Sequence, residues 1–183
     1  MEAKRVLIIK GSERSGSFTN SLCLEAQELL ADCQIDVFDA CKERFAFCNG
    51  CNFCESHDRC VHDDLSSFFE SFENADLIIF SSPVYNGTFT APIKALIDRF
   101  QVYYTSFYRN GKVQPIKKRR KAILIAAAGR DGEKCIDFMK WQLKCAFSIL
   151  NIELLGTVLC SYTDTTPRYD AASEILRRSL ADE

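Results

Sequence analysis

The sequence predicts an α/β fold, a doubly wound five-stranded parallel sheet of order 2-1-3-4-5 with helices on both faces. Two observations carry that expectation. Short β-branched runs alternate five times with amphipathic helical patterns, as in parallel sheets covered by crossover helices. Polar loops rich in Gly, Ser, Asn and Pro follow the first and third runs, where a sheet of this order opens its ligand crevice beyond the carboxyl ends of the strands. With 183 residues, 47% of them hydrophobic and 26% charged, residues 1–183 read as a single domain with a buried core and a cysteine-rich loop insert at about 41–63.

Arg5 to Lys10 (RVLIIK) is a β-branched run ended by Gly11 and reads as the first strand. Thr19 to Leu30 reads as a helix, with Leu22, Ala26, Leu29 and Leu30 at helical spacing, and Gln34 to Phe38 as the second strand. Periodicity then fails from Cys41 to Asp63; irregular segments this long inside compact domains are usually functional. A helix resumes near Asp64 to Glu73, with Leu65, Phe68, Phe69 and Phe72 on one face and Asp63 and Asp64 placed to cap it. Asp76 to Ser81 is the third strand, and Thr90 to Tyr103 is read as one helix that tolerates Pro92 in its first turn. Arg120 to Ala127, Glu133 to Leu150, Ile152 to Cys160 and Tyr169 to Leu180 complete the alternation as strand, helix, strand and closing helix. The basic run Lys117 to Lys121 reads as a solvated edge, or else a docking site for a nicotinamide phosphate or an acidic partner. Phe100, Tyr103, Tyr104, Phe107 and Tyr108 share helical spacing and read as packing, at a density that also suits a subunit contact.

A net charge of -2 argues against a nucleic-acid binder and leaves anion recognition to helix N-termini and single arginines. No apolar run approaches the roughly 20 residues of a membrane span, and the N-terminus does not resemble a signal peptide. A cytoplasmic protein with no membrane association is expected. In that setting ten cysteines are not a disulfide framework. Cys23, Cys33, Cys41, Cys135, Cys145 and Cys160 read as small buried or half-buried apolar residues.

The loop after the first strand, Gly11 to Asn20 (GSERSGSFTN), ends at a helix start. Backbone N–H groups and the helix dipole there favour an anion. Arg14 can fork onto phosphate oxygens, the hydroxyls of Ser12, Ser17 and Thr19 can donate, and Asn20 is expected to anchor the phosphate with them. The missing Gly-Lys-Ser/Thr ending excludes a P-loop. After the third strand, Pro83, Val84, Tyr85, Asn86 and Gly87 form a rigid turn able to offer backbone amides and an aromatic face to a flat heterocycle.

The first loop resembles the GSxRxxSxT phosphate loop of the flavodoxin-like NAD(P)H-dependent FMN reductase family. The second resembles that family's SPxYxGxxxAxxKxxIDR stretch, matched at Ser82, Pro83, Tyr85, Gly87, Ala91, Lys94, Ile97, Asp98 and Arg99. Phe18 departs from the pattern, standing where relatives often place a small polar residue. The resemblance implies a flavodoxin-like sheet that binds FMN, phosphate on the first loop and isoalloxazine against the second. A third loop, Ala127 to Asp131 with Ala128 and Gly129, would border the ring.

Cys48, Cys51, Cys54 and Cys60 are spaced C-x2-C-x2-C-x5-C. Successive x2 steps wrap one segment around a compact polynuclear centre of the iron-sulfur kind, whereas zinc more often uses two separated pairs. Zinc, or free and redox-labile thiols, are the other readings; His57 and His62 read as exposed loop residues. The spacing and the run CVHDD resemble the iron-sulfur flavoprotein branch of the same family, which implies a 4Fe-4S cluster on the four cysteines, close to FMN at a subunit interface.

These readings point to an FMN-dependent oxidoreductase passing electrons from NAD(P)H or a reduced carrier to a flavin, quinone or iron-sulfur acceptor. No catalytic side chain is required, because hydride can pass from nicotinamide directly to the flavin. A non-enzymatic iron-sulfur/FMN electron carrier and a zinc-stapled flavin-binding module share the same binding residues and stay open. Expected partners are small-molecule donors and acceptors or a ferredoxin-like protein, with the chain in a homodimer or homotetramer.

Overall fold

The computed structural model describes residues 3–169. In chain order the elements are β1 (Arg5–Lys10), α1 (Phe18–Leu29), β2 (Gln34–Asp39), a 3-10 turn (Phe53–Glu55), α2 (Ser66–Asn74), β3 (Leu77–Pro83), α3 (Ala91–Asp98), α4 (Gln101–Arg109), β4 (Arg120–Ala127), α5 (Glu133–Phe147), β5 (Ile152–Ser161) and β6 (Arg168–Tyr169). The sheet order is β2-β1-β3-β4-β5-β6. The first five strands are parallel, as expected. The two-residue β6, antiparallel to β5, was not anticipated. The expected closing helix lies outside the described residues except for Tyr169, which ends β6.

Side chains alternate across the sheet and build two cores. Leu7, Ile9, Ile78, Phe80 and Leu124 pack with Phe68 and Phe72 of α2, Ile93 and Leu96 of α3, and Met139 and Leu143 of α5. Val6, Ile8, Leu77, Ile79, Ile123 and Ile125 pack on the other face with Leu22, Cys23 and Ala26 of α1. Each fully buried Phe, Leu or Ile contributes roughly 1.5–3 kcal/mol relative to exposure. The central strands β1, β3 and β4 are covered on both faces, which is why they read as near-continuous apolar runs. The edge strand β2 exposes Gln34, Asp36 and Val37. The register pairs Lys10 with Ser81, Pro83 with Ala127 and Ala127 with Cys160, so the loops after β1, β3, β4 and β5 all open along one edge. Among the described residues no helix is long and apolar enough to cross a membrane.

Four local expectations are corrected. The helix read from Thr90 to Tyr103 breaks into α3 and α4 at Arg99–Phe100, where the Phe100 N–H bonds Ile97 in a tighter turn and the Arg99 side chain is drawn inward. A 3.6-residue period cannot reveal a break whose cause is a partner distant in sequence. Asp63 and Asp64 do not cap α2, whose N-cap is Leu65 without a side-chain bond; Asp63 accepts from Ser66 Oγ and Asp64 is bound elsewhere, as described below. Cys145 is exposed, because α5 turns Ile136, Met139, Leu143 and Phe147 to the core instead. The basic run is not uniformly solvated. Arg120 is 1% exposed, donating to the carbonyls of Phe72 and Leu150 at 2.6 Å each, with its guanidinium 4.9 Å above the Phe72 ring. Burial pulls its pKa down to about 10, still charged at neutral pH.

Arg120 thus satisfies carbonyls at the ends of α2 and α5 from the start of β4. Arg120→Leu should leave two buried acceptors unpaired and cost about 3 kcal/mol. A urea unfolding midpoint within error of wild type would refute this role.

Candidate functional site

The β1–α1 loop closes on itself before it closes on anything else. Ser17, the N-cap of α1, accepts from the Asn20 N–H, and its own N–H donates to the Arg14 carbonyl. Asn20 Nδ2 also donates to the Arg14 carbonyl at 2.6 Å. Asn20 therefore turns inward and holds the loop rather than facing the cleft. The N–H groups of Phe18 and Thr19, in the first helical turn, have no intrahelical acceptor. Ser12, Arg14, Ser17, Phe18 and Thr19 border a cleft of about 360 Å³, within the usual size of small-molecule sites. Arg14 has no carboxylate partner among the described residues. The Ser17 and Thr19 hydroxyls lie 3.0 Å apart at this border, with Thr19 buried.

The second loop is stitched directly to the first. The Gly11 N–H donates to the Ser81 carbonyl at 2.8 Å, and Thr90 Oγ1 donates to the Gly11 carbonyl at 2.9 Å. A Cβ at Gly11 would collide with Ile93 and sit 2.8 Å from the Ser81 carbonyl oxygen, so only glycine allows this approach. Ser82 Oγ accepts the Thr90 N–H and donates to the Pro83 carbonyl.

Beyond Pro83 the chain makes a two-residue turn. Tyr85 and Thr88 exchange backbone hydrogen bonds of 3.0 and 3.1 Å, with Asn86 and Gly87 both at positive φ, 50° and 82°, as an Asn-Gly turn of the primed type demands. The Val84 N–H is taken by the Ala127 carbonyl. Of the loop's amides, those of Asn86 and Gly87 remain as donors among the described residues. Tyr85, 48% exposed, stands between the 360 Å³ cleft and a neighbouring one of about 370 Å³ lined by Gly11, Glu13, Arg14 and Cys41. Burial, with Asp39 and Glu13 nearby, pushes the Cys41 thiol up to about 11.

The cleft's far wall is Pro83, Val84, Ala127 and Gly129, together with Thr163 and Asp164 from the loop after β5. Ala128 does not line it; its N–H goes to Cys160 and its carbonyl accepts from Thr163. Thr163 and Asp164 were missed. The signal was present, since the polar run from Tyr162 to Thr166 follows the carboxyl end of the fifth strand, and such loops share the crevice.

The cysteine-rich segment lies against α4. Cys48, Cys51, Cys54 and Cys60 line one small cleft with Asn52, His62, Arg99 and Thr105. All four are free thiols, and among the described residues no three His, Cys, Asp or Glu side chains are arranged to hold a metal ion. Asn49 Oδ1 accepts the Cys51 N–H, and Asn52 adopts φ 59°. His57 is exposed and stacks on Phe53 at 3.8 Å, whereas His62 is half-buried. The segment is tied down by arginines. Arg109 donates to the carbonyls of Cys54 and Glu55 and pairs with Asp58. Arg99, 1% exposed, donates to the carbonyls of Ala46 at 2.7 Å and His62 at 3.0 Å and pairs with Asp64 at 2.8 Å. Asp64 in turn accepts the Ala46 N–H. Both ends of the segment thus meet at one guanidinium, a role that sequence reasoning missed because the partners lie 53 and 37 residues away.

The family described as NADPH-dependent FMN reductase matches residues 4–144, from β1 into α5. The chain belongs to that family. Among curated proteins it is 31% identical over 112 residues to an iron-sulfur flavoprotein of Methanocaldococcus jannaschii, covering 60% of this chain and 58% of that one. It is 35% identical over 94 residues to an iron-sulfur flavoprotein of Methanosarcina thermophila, covering 50% and 49%. The chain therefore spans about half the length of the curated relatives it matches, and these matches bear out the resemblance to the iron-sulfur flavoprotein branch. Among solved structures, an FMN-dependent NADH-azoreductase from Bacillus anthracis in complex with FMN superposes with a TM-score of 0.69 at 15% identity, covering 96% of this chain and 93% of that one. That likeness establishes the shared flavodoxin-like fold.

The Asp64 contact has a pH signature. Burial alone would raise its pKa, but hydrogen bonds from Arg99 and the Ala46 N–H, with the Arg99 charge, outweigh it and hold the carboxyl below its usual range. The unfolded chain, with a carboxyl near about 3.9, binds the proton first. Stability from this group is therefore complete above that value and is lost as pH falls through the lowered folded pKa. Asp64→Asn should lower stability at pH 7 and flatten its acid limb. Parallel midpoint curves for both proteins between pH 7 and pH 3 would exclude this.

Proposed function

We propose that this chain is an FMN-dependent oxidoreductase passing electrons from NAD(P)H or a reduced carrier to a flavin, quinone or iron-sulfur acceptor. The observation that carries the reading is the single cleft bounded by Arg14, Ser17 and Thr19 on one side and Pro83, Val84 and Tyr85 on the other, in a chain of the FMN reductase family. Bound FMN would supply the hydride and electron chemistry. The protein's part is to bind and orient it. Arg14, the hydroxyls of Ser12, Ser17 and Thr19, and the first N–H groups of α1 would hold the phosphate. The Asn86 and Gly87 amides and the Tyr85 ring would meet the isoalloxazine, with Gly129 at its border.

The four cysteines would hold a 4Fe-4S centre, which would supply one-electron steps. The donor chemistry supports this, and so do the relatives named iron-sulfur flavoproteins. Ligation requires the thiols to draw together, and such closure is coupled to metal binding. Reduced thiols suit a cytoplasmic setting. The exposed Tyr104 and Tyr108, with ring centroids 4.7 Å apart on α4, suit a contact within a homodimer or homotetramer, and one domain is proposed to carry the whole activity.

If the phosphate assignment is right, Arg14→Ala weakens FMN about tenfold or more, the worth of one charge-assisted hydrogen bond, and leaves riboflavin affinity nearly unchanged. Fluorescence titration of both ligands measures this; equal losses would refute it.

Protein prepared without oxygen should carry about four iron and four sulfide per chain. Cys54→Ser should lower both together while FMN stays bound. Stoichiometric zinc, or iron absent from anaerobic protein, would overturn the cluster reading.

A further inference from the structure

The four-cysteine cleft has one charged residue in its lining, and Arg109 reaches the Cys54 carbonyl from α4 beside it. Among the described residues that line it, Arg99 alone carries a permanent charge, and His62 is the only other ionisable group besides the cysteines. The Arg99 side chain is nearly inaccessible, and three of its N–H groups are spent on Ala46, His62 and Asp64. Among the described residues its Nε–H is buried with no acceptor, as is that of Arg120, but only Arg99 borders the four thiols. A buried donor left unpaired is costly, and the cost is higher on a charged group. The missing partner has to be an acceptor, and an anionic one gains most. The cleft's own chemistry offers thiolate or sulfide sulfur.

We infer that Arg99 is the counter-charge and hydrogen-bond donor to the sulfur-ligated centre on Cys48, Cys51, Cys54 and Cys60, and that Asp64 sets how much of its charge the centre feels. This rests on the cluster reading above. Hydrogen bonds to sulfur and nearby charge are the protein's means of setting a cluster's potential. A cation beside a centre with four thiolates favours the more negative, reduced form. Asp64, paired with the guanidinium at 2.8 Å, offsets part of that charge. Arg99 is thus a positioning and tuning residue as well as the clamp of the segment.

The test compares midpoint potentials of the iron- and sulfide-loaded protein, read from its visible spectrum during anaerobic titration. Arg99→Gln should lower the potential by about tenfold in the reduction equilibrium, about 59 mV for a one-electron couple. Arg99→Lys, which keeps the charge without the fork, should fall between it and wild type. Asp64→Asn leaves Arg99 in place and removes its opposing anion, so it should raise the potential. A purely structural clamp would give no such opposite signs, because both changes loosen the same segment. Wild-type protein that takes up no iron and sulfide overturns the cluster reading and this inference with it. Wild-type protein that takes both up, while Asp64→Asn leaves the potential unchanged or lowers it, overturns the inference alone.

Discussion

The close approach of two backbones at Gly11 is the constraint on which the 360 Å³ cleft depends. β1 and β3 are neighbours in register, and the loops that leave them would diverge if any side chain stood at that position. The Gly11 N–H on Ser81 and the Thr90 hydroxyl on Gly11 hold both loops at one spacing. The β1–α1 loop and the turn after β3 are thereby held at a fixed spacing beside Ile93.

Two buried arginines do for the periphery what apolar packing does for the centre. Arg120 and Arg99 each bond carbonyls from segments far apart in sequence. A hydrophobic residue of similar size would fill the volume but leave those carbonyls unsatisfied. Arg120 finishes the amino edge of the sheet. Arg99 gives order to a segment that has little apolar surface with which to offset its conformational entropy.

Helix α3 connects the two clefts. Thr90 at its start is bonded to Gly11 of the β1–α1 loop, and Arg99 at its end grips the cysteine-rich segment. Eight residues at about 1.5 Å each make this a rigid spacer of about 12 Å. The break after Asp98, invisible to helical periodicity, accompanies the inward turn of Arg99 onto Ala46 and His62.

Hydrophobic alternation and loop chemistry made the strands, the helices, the polar β1–α1 loop and the Asn-Gly turn legible, because each depends on residues adjacent in the chain. The sheet order followed from the usual order of a five-stranded doubly wound sheet. The four-cysteine spacing was equally plain, and the four thiols do line one cleft. Four features escaped: the helix break, the burial of Arg120, the roles of Asp64 and Arg99, and the wall contributed by Thr163 and Asp164. The first three depend on partners tens of residues away, whereas the last had a local signal in the polar run after the fifth strand. The sequence by itself determined the local backbone of the site and the kinds of donor it carries. Only the tertiary structure decided which distant carbonyls and carboxylates those donors meet, because a charge reads as solvated until the fold removes water from around it.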